Sequence, residues 1–92
     1  MPVLTNPAEA GWQRICELGS WVLWHKFTNH YGYVRVAARC YERDRAKRSY
    51  DLSWDSNNQR MCRNADADRL QISEPALWQQ ILVHLNRWKP PQ

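Results

Sequence analysis

The chain has 92 residues, three of them cysteines, and a formal net charge of +4 at pH 7. This length fits one domain with a single modest core, since domains typically run from about 50 to 250 residues. No apolar run approaches the ~20 residues that a membrane span needs, which excludes a membrane-spanning chain. The surplus of Lys and Arg favours acidic partners such as nucleic acid or an acidic protein surface.

The cysteines and the first residues bear on compartment and cofactors. Cys16, Cys40 and Cys62 are odd in number and widely spaced, with no Cys-x-x-Cys motif and no Cys–His spacing that suits zinc. Met-Pro-Val-Leu-Thr-Asn lacks the charged segment and apolar run of a signal peptide. The sequence therefore predicts a cytoplasmic protein with reduced thiols, no metal and no cofactor.

The first predicted element is a helix over residues 7–18. Asn6 can cap it, Pro7 fits its first turn, Glu9 stands at the capping-box position, and Gly19 is a natural stop. Its apolar residues recur at helical spacing, at Ala8, Trp12, Ile15 and Cys16.

Three runs of aromatic and β-branched residues follow, at 21–27, 33–41 and 49–54, and they predict strands. Residues 28–32 have the composition of a hairpin turn between the first two. A fourth strand at 59–63 is a weaker prediction. Asn64–Asp68 is interpreted as a loop, with a short extended piece at Leu70 and Ile72.

The second predicted helix covers residues 74–88. Ser73 is the expected cap, Glu74 and Pro75 suit the first turn, and Pro90 ends the helix. Its apolar side chains form one continuous stripe: Leu77, Trp78, Ile81, Leu82, Leu85 and Trp88.

The predicted fold class is α+β, as a two-layer domain spanning residues 1–92. An antiparallel three- or four-stranded meander is covered on one face by an N-terminal and a C-terminal helix. This order of elements is similar to that of the double-stranded RNA-binding domain. That family begins its second helix with lysines, where this chain has Glu74 and Pro75, so no site residue is taken from the similarity.

Function is predicted to lie on the sheet face that the helices leave open. In 33–41, Val34, Val36, Ala38 and Cys40 alternate with a second face rich in Tyr and Arg. Aromatic rings interleaved with cations suit nucleic acid, because bases stack on rings and guanidinium groups pair with phosphates. The candidate binding residues are Trp24, Lys26, Tyr33, Arg35, Arg39 and Tyr41, with Arg43, Arg45, Lys47 and Arg48 in the following loop.

Other interpretations stay open. A solvated strand surface would carry the same residues, and Trp, Tyr and Arg are also enriched at protein interfaces, which fits an adaptor or an inhibitor of host machinery of the kind that phages and plasmids encode. The same face could form a homodimer.

Other candidate sites are weaker. Asp66 and Asp68 lack the glycine turn and distal glutamate of a calcium loop. No glycine-rich elbow or phosphate loop points to catalysis, so an enzyme is not predicted.

Overall fold

A computed structural model describes residues 11–30, 32–41 and 49–89, with residues 27–30 described by their backbone alone. Within these ranges the chain forms one antiparallel sheet in which each strand pairs with its neighbour in sequence. The strands are β1 (Gln13–Leu18), β2 (Trp21–His30), β3 (Tyr33–Cys40), β4 (Ser49–Asp55) and β5 (Arg60–Met61). The helices are α1 (Ala65–Ser73) and α2 (Pro75–Arg87).

An antiparallel sheet with two helices confirms the predicted α+β class. Neither α1 nor α2, the helices of the described part, has the length and apolarity that crossing a membrane requires.

The core lies between one face of the sheet and the two helices. Val34, Val36, Ala38 and Cys40 of β3 are fully buried there, as their alternation predicts. They share one apolar cluster with other buried side chains, which include Leu23, Leu52, Trp54, Leu70, Ile81 and Leu85. Both helices therefore pack on the same face of the sheet, and the opposite face is left to the Tyr and Arg positions.

The predicted helix over 7–18 is wrong for its second half, since Gln13–Leu18 is strand β1; residues 7–10 lie outside the described residues. The reason is a β-bulge between Arg14 and Cys16, where the register with β2 shifts. Ile15 and Cys16 both pack against the core. This adjacent apolar pair breaks the period of two and imitates the spacing of a helix face.

Gly19 ends a strand instead of a helix. Leu18 pairs with Trp21, so Gly19 and Ser20 form a two-residue hairpin turn, and Gly19 has a φ of +63°. Short hairpin turns of this kind need a positive φ, which glycine adopts without a steric penalty. The same residue type serves both kinds of termination, so Gly19 could not distinguish them.

Helix α1 replaces the predicted loop at 64–68 and the extended piece after it. Asn64 is its N-cap, and the side-chain oxygen accepts the Ala67 N–H at 2.7 Å. Asp66 and Asp68 lie in the first turn, where their negative charge favours the helix dipole. Both described helices thus follow the sheet, and the first described element is a strand. The prediction that an N-terminal helix covers the sheet is therefore wrong. The order of elements also differs from the helix–strands–helix order of the double-stranded RNA-binding domain.

The remaining elements lie close to their predicted positions. Strand β2 extends three residues beyond 21–27, and β5 covers only the centre of 59–63. Helix α2 occupies most of 74–88, but Ser73 belongs to α1 and Glu74 is the N-cap, without a side-chain capping bond.

The outer edge of β4 is joined to the start of α1. The Asp51 N–H donates to Asp66 Oδ2 at 2.7 Å, and Asn64 Nδ2 donates to the Asp51 carbonyl at 3.3 Å. One residue of the strand thus has both of its outward backbone groups satisfied by side chains of the helix.

The same edge is satisfied on either side of Asp51. Arg69 donates to the Ser49 carbonyl at 3.1 Å, and its guanidinium lies 4.4 Å from the centre of the Tyr50 ring. The Cys62 N–H donates to the Ser53 carbonyl at 2.8 Å. Since unpaired strand edges invite pairing with other chains, α1 acts as a cover for this edge.

Removing the α1 cap should destabilise the fold. Asn64→Ala removes both the capping bond to Ala67 and the bond to the Asp51 carbonyl, and we expect the free energy of unfolding to fall by about 1–2 kcal/mol. Asn86→Ala, at an exposed position of α2, is the matched control and should change it by less than about 0.5 kcal/mol. Urea unfolding followed by circular dichroism measures both, and equal midpoints for the two variants would contradict this role of Asn64.

His25 connects the sheet to the end of α2. It lies on the core side of β2, is 4% exposed, and has its ring centroid 4.7 Å from that of Trp88 in an edge-on arrangement. Burial lowers the pKa of His25 below its ordinary value of 6.5, because the apolar surroundings disfavour the charged form. The native state therefore favours neutral His25.

The free energy of unfolding should consequently decrease as the pH is lowered below about 6.5. In that window the unfolded chain binds a proton at His25 more readily than the native chain does, with a slope of at most about 1.4 kcal/mol per pH unit. Hydrogen bonds lower the pKa values of two carboxyl groups below 3.8, from Asn58 for Asp55 and from the Asp51 N–H for Asp66. Their protonation therefore reduces stability only at more acidic pH. Urea unfolding at pH 7, 6 and 5 measures the slope.

His25→Phe keeps a ring beside Trp88 and should flatten that pH dependence. The control His84→Gln, at an exposed position of α2, should leave it as in the parent chain. An unchanged slope in the His25 variant would show that another group titrates.

Candidate functional site

The face of the sheet opposite the helices, the outer face, is built from alternate residues of four strands. The strand registers place on it Arg14, Glu17, Val22, Trp24, Lys26, Tyr33, Arg35, Ala37, Arg39, Ser49, Asp51 and Ser53.

Four of the predicted binding residues meet on β2 and β3. Lys26 pairs directly with Arg35, and Trp24 stands two residues from Lys26 on the same face. Arg35 and Tyr33 are exposed, Tyr33 to 41%, while Trp24 and Lys26 are half-buried. The structure therefore brings Trp24, Lys26, Tyr33 and Arg35 together on one surface.

Trp12 joins this group, and the sequence interpretation missed it. The Arg35 guanidinium lies 5.3 Å from the centre of the Trp12 ring, within the range of a cation–π contact. Trp12 immediately precedes β1 and is half-buried. The predicted helix over 7–18 includes Trp12 among its apolar residues. Because residues 13–18 form a strand, Trp12 lies on the outer face instead.

Arg39 is on the outer face but is engaged within the sheet. Its Nη2 atom lies 2.9 Å from Asp51 Oδ1 on β4, and its Nη1 atom donates to the carbonyls of Ala38 and Tyr50, each at 3.3 Å. A ligand phosphate would have to compete with these acceptors. Arg39 therefore crosslinks β3 and β4 as well as contributing positive charge.

A second ion pair makes the outer face mixed in charge. Arg14 Nη2 and Glu17 Oε1 on β1 are 3.6 Å apart, and both side chains are about half exposed. Exposed pairs of this kind contribute little to stability. Their effect is on the electrostatic field, since part of the positive charge of β1 and β3 is offset locally.

Ala37 is the smallest side chain in the centre of this surface. It pairs with Trp24 on β2 and with Asp51 on β4, and it is 1% exposed although it points away from the core. Larger neighbours on the same face account for this burial. The Trp24 ring thus has no bulky side chain directly across from it on β3.

Tyr41 lies apart from this group. It follows β3 at the end opposite Tyr33, it is 55% exposed, and its hydroxyl donates to the Gly19 carbonyl in the β1–β2 turn at 2.9 Å. Tyr33 and Tyr41 therefore mark opposite ends of the outer face. The loop residues Arg43, Arg45, Lys47 and Arg48 lie outside the described residues.

The described residues offer few groups for metal or thiol chemistry. No three His, Cys, Asp or Glu side chains among them are placed to hold a metal ion. Asp66 is used by the cover of β4, where it accepts from Asp51 and Arg69. Burial raises the pKa of the Cys16 thiol, which disfavours the nucleophilic thiolate.

Comparison with known proteins adds no assignment, as no protein-family model, curated protein or solved structure matches the chain. The outer face is consequently interpreted from its own chemistry.

The Trp12–Arg35 contact should be measurable as a coupling energy. In a double-mutant cycle with Trp12→Leu and Arg35→Gln, we expect the two effects on the free energy of unfolding to be non-additive by about 0.5–1 kcal/mol. Pairing Trp12→Leu with Arg87→Gln, in α2, gives the control cycle and should be additive. Additivity in both cycles would mean that the cation–π contact does not hold Arg35 in solution.

Proposed function

We propose that the chain is a non-enzymatic binding protein that contacts nucleic acid through its outer face. The observation that supports this most directly is the grouping of Trp12, Trp24, Lys26, Tyr33 and Arg35 on one side of a rigid sheet. Aromatic planes and cations alternate within it, and they match the two chemical parts of a nucleotide, the base and the phosphate.

The residues divide by role. Trp12, Trp24 and Tyr33 supply rings for stacking. Lys26 and Arg35 contact phosphates. Arg35 is the better placed cation, because Trp12 restricts its guanidinium and so reduces the entropy lost when a phosphate binds.

Other cations add long-range attraction. The net charge of +4 raises the encounter rate with a polyanion, and that effect weakens with salt. The basic loop with Arg43, Arg45, Lys47 and Arg48, together with Tyr41 at the adjacent end of β3, extends the proposed contact. Arg39 contributes less per charge, because Asp51 offsets it.

Single-charge variants on the outer face should shift affinity in opposite directions. Arg35→Ala removes a phosphate contact, and we expect it to weaken binding several-fold and reduce the slope of log affinity against log salt by about one. Asp51→Asn removes the acid beside Arg39 and should strengthen binding. Filter binding to a mixed-sequence oligonucleotide between 50 and 300 mM salt measures both.

The matched control is Arg87→Ala, which removes the same charge from α2 on the helical layer. It should weaken binding less than Arg35→Ala does. Equal losses from the two variants would show that binding follows net charge and does not use the outer face. No binding at 50 mM salt would contradict the proposed function itself.

A protein-binding role is the second candidate, and the mixed charge of the outer face favours it. The Arg39–Asp51 and Arg14–Glu17 pairs present both signs of charge on the face that carries Trp24, and Trp, Tyr and Arg are the residues enriched at protein interfaces. A partner that stays bound after nuclease treatment, and whose affinity depends on Trp24 more than on salt, would support this role over the first.

A further inference from the structure

We propose that the outer face takes unpaired, single-stranded nucleic acid, with Trp12 and Trp24 as its principal stacking residues. This inference rests on the proposed function and narrows it to one class of ligand. It follows from the width of the surface and from the position of the tryptophans in its middle and on its β1 side.

The sheet is too wide to enter the major groove of an undistorted duplex. The outer face spans β1 to β4, whose neighbours lie about 4.8 Å apart, so it is roughly 14 Å across before side chains are added. The major groove of duplex DNA is about 12 Å wide and admits a helix or a two-stranded ribbon. A surface of four strands therefore rests on the outside of a duplex and reaches only its phosphates.

The tryptophans would have no partner in such a complex. Paired bases present their edges in the grooves, and their faces are covered by the neighbouring base pairs. The rings of Trp12 and Trp24 can stack directly on bases whose faces are free, as in a single strand, whereas in a duplex they would first have to unstack neighbouring base pairs. A duplex would use the cations of the face and leave its aromatic rings unused.

The local geometry supports stacking at both positions. Trp24 is paired on β3 with Ala37, so no large side chain stands directly opposite it on that strand, while its partner on β1 is Arg14. The guanidinium of Arg35 lies 5.3 Å from the centre of the Trp12 ring, so a base that stacks on Trp12 uses the other face of the ring or displaces this guanidinium. Lys26 and Arg35 pair between β2 and β3 on the same face, so cations lie within reach of a backbone whose bases contact the rings.

Strand preference is tested by fluorescence anisotropy with labelled 12-nucleotide DNA and RNA oligonucleotides, each alone and annealed to its complement, at one salt concentration. We expect the parent protein to bind the single strands at least about tenfold more tightly than the duplexes. Trp24→Leu and Trp12→Leu should each weaken single-strand binding about fivefold or more, as the loss of one stacked base implies. The same variants should change duplex binding less than twofold.

Trp24→Phe retains an aromatic ring and should recover part of the lost affinity, which a purely structural role would not predict. Trp78→Leu, in the helical layer, is the control for loss of a tryptophan away from the outer face. Circular dichroism verifies that each variant is folded. Duplex binding as tight as single-strand binding overturns this inference and leaves nucleic-acid binding intact. Equal losses from Trp24→Phe and Trp24→Leu overturn stacking, and no binding to any oligonucleotide overturns the proposed function as well.

Discussion

The structure depends on how the outward-facing backbone N–H and C=O groups of β4 find hydrogen-bond partners. Strand β5 pairs with only two residues of β4, so the rest of that edge needs other partners. The cap and first turn of α1 supply them at Asp51, and Arg69 does so at Ser49. These bonds fix where α1 begins and on which side it runs. Since only one residue separates α1 from α2, both helices are committed to the same face of the sheet.

A helical layer on one side has a functional consequence on the other. The outer face presents tryptophan, tyrosine, lysine and arginine on strands whose opposite side packs into the core. Its cations are not equivalent. Arg39 is engaged by an acid of the same sheet, whereas Arg35 is oriented by a ring. The two arginines of β3 therefore differ in their surroundings, one beside a carboxylate and the other beside an indole ring.

The alternation in β3 could be predicted because it is a local property, in which each side chain is either inside or outside. The same reasoning failed for β1, where the bulge at Ile15 removes the alternation. It failed for α1 because Asn64 and the acidic first turn are ordinary in a loop until Asp51 is placed beside them. The contact of Trp12 with Arg35 could not be predicted either. It depends on β1 being a strand and on the registers of β1, β2 and β3, which the local sequence does not indicate.

The order of the strands also bears on how the chain folds. Every strand pairs with its neighbour in sequence, and the bonds from the cap and first turns of α1 reach back only to β4, so these contacts close short loops at small entropic cost. The contact of His25 with Trp88 is different, because it joins the second strand to the residue that follows the last helix. Because the contacts that hold the sheet and α1 together are local in sequence, they favour rapid folding, whereas the contact between His25 and Trp88 is of long range.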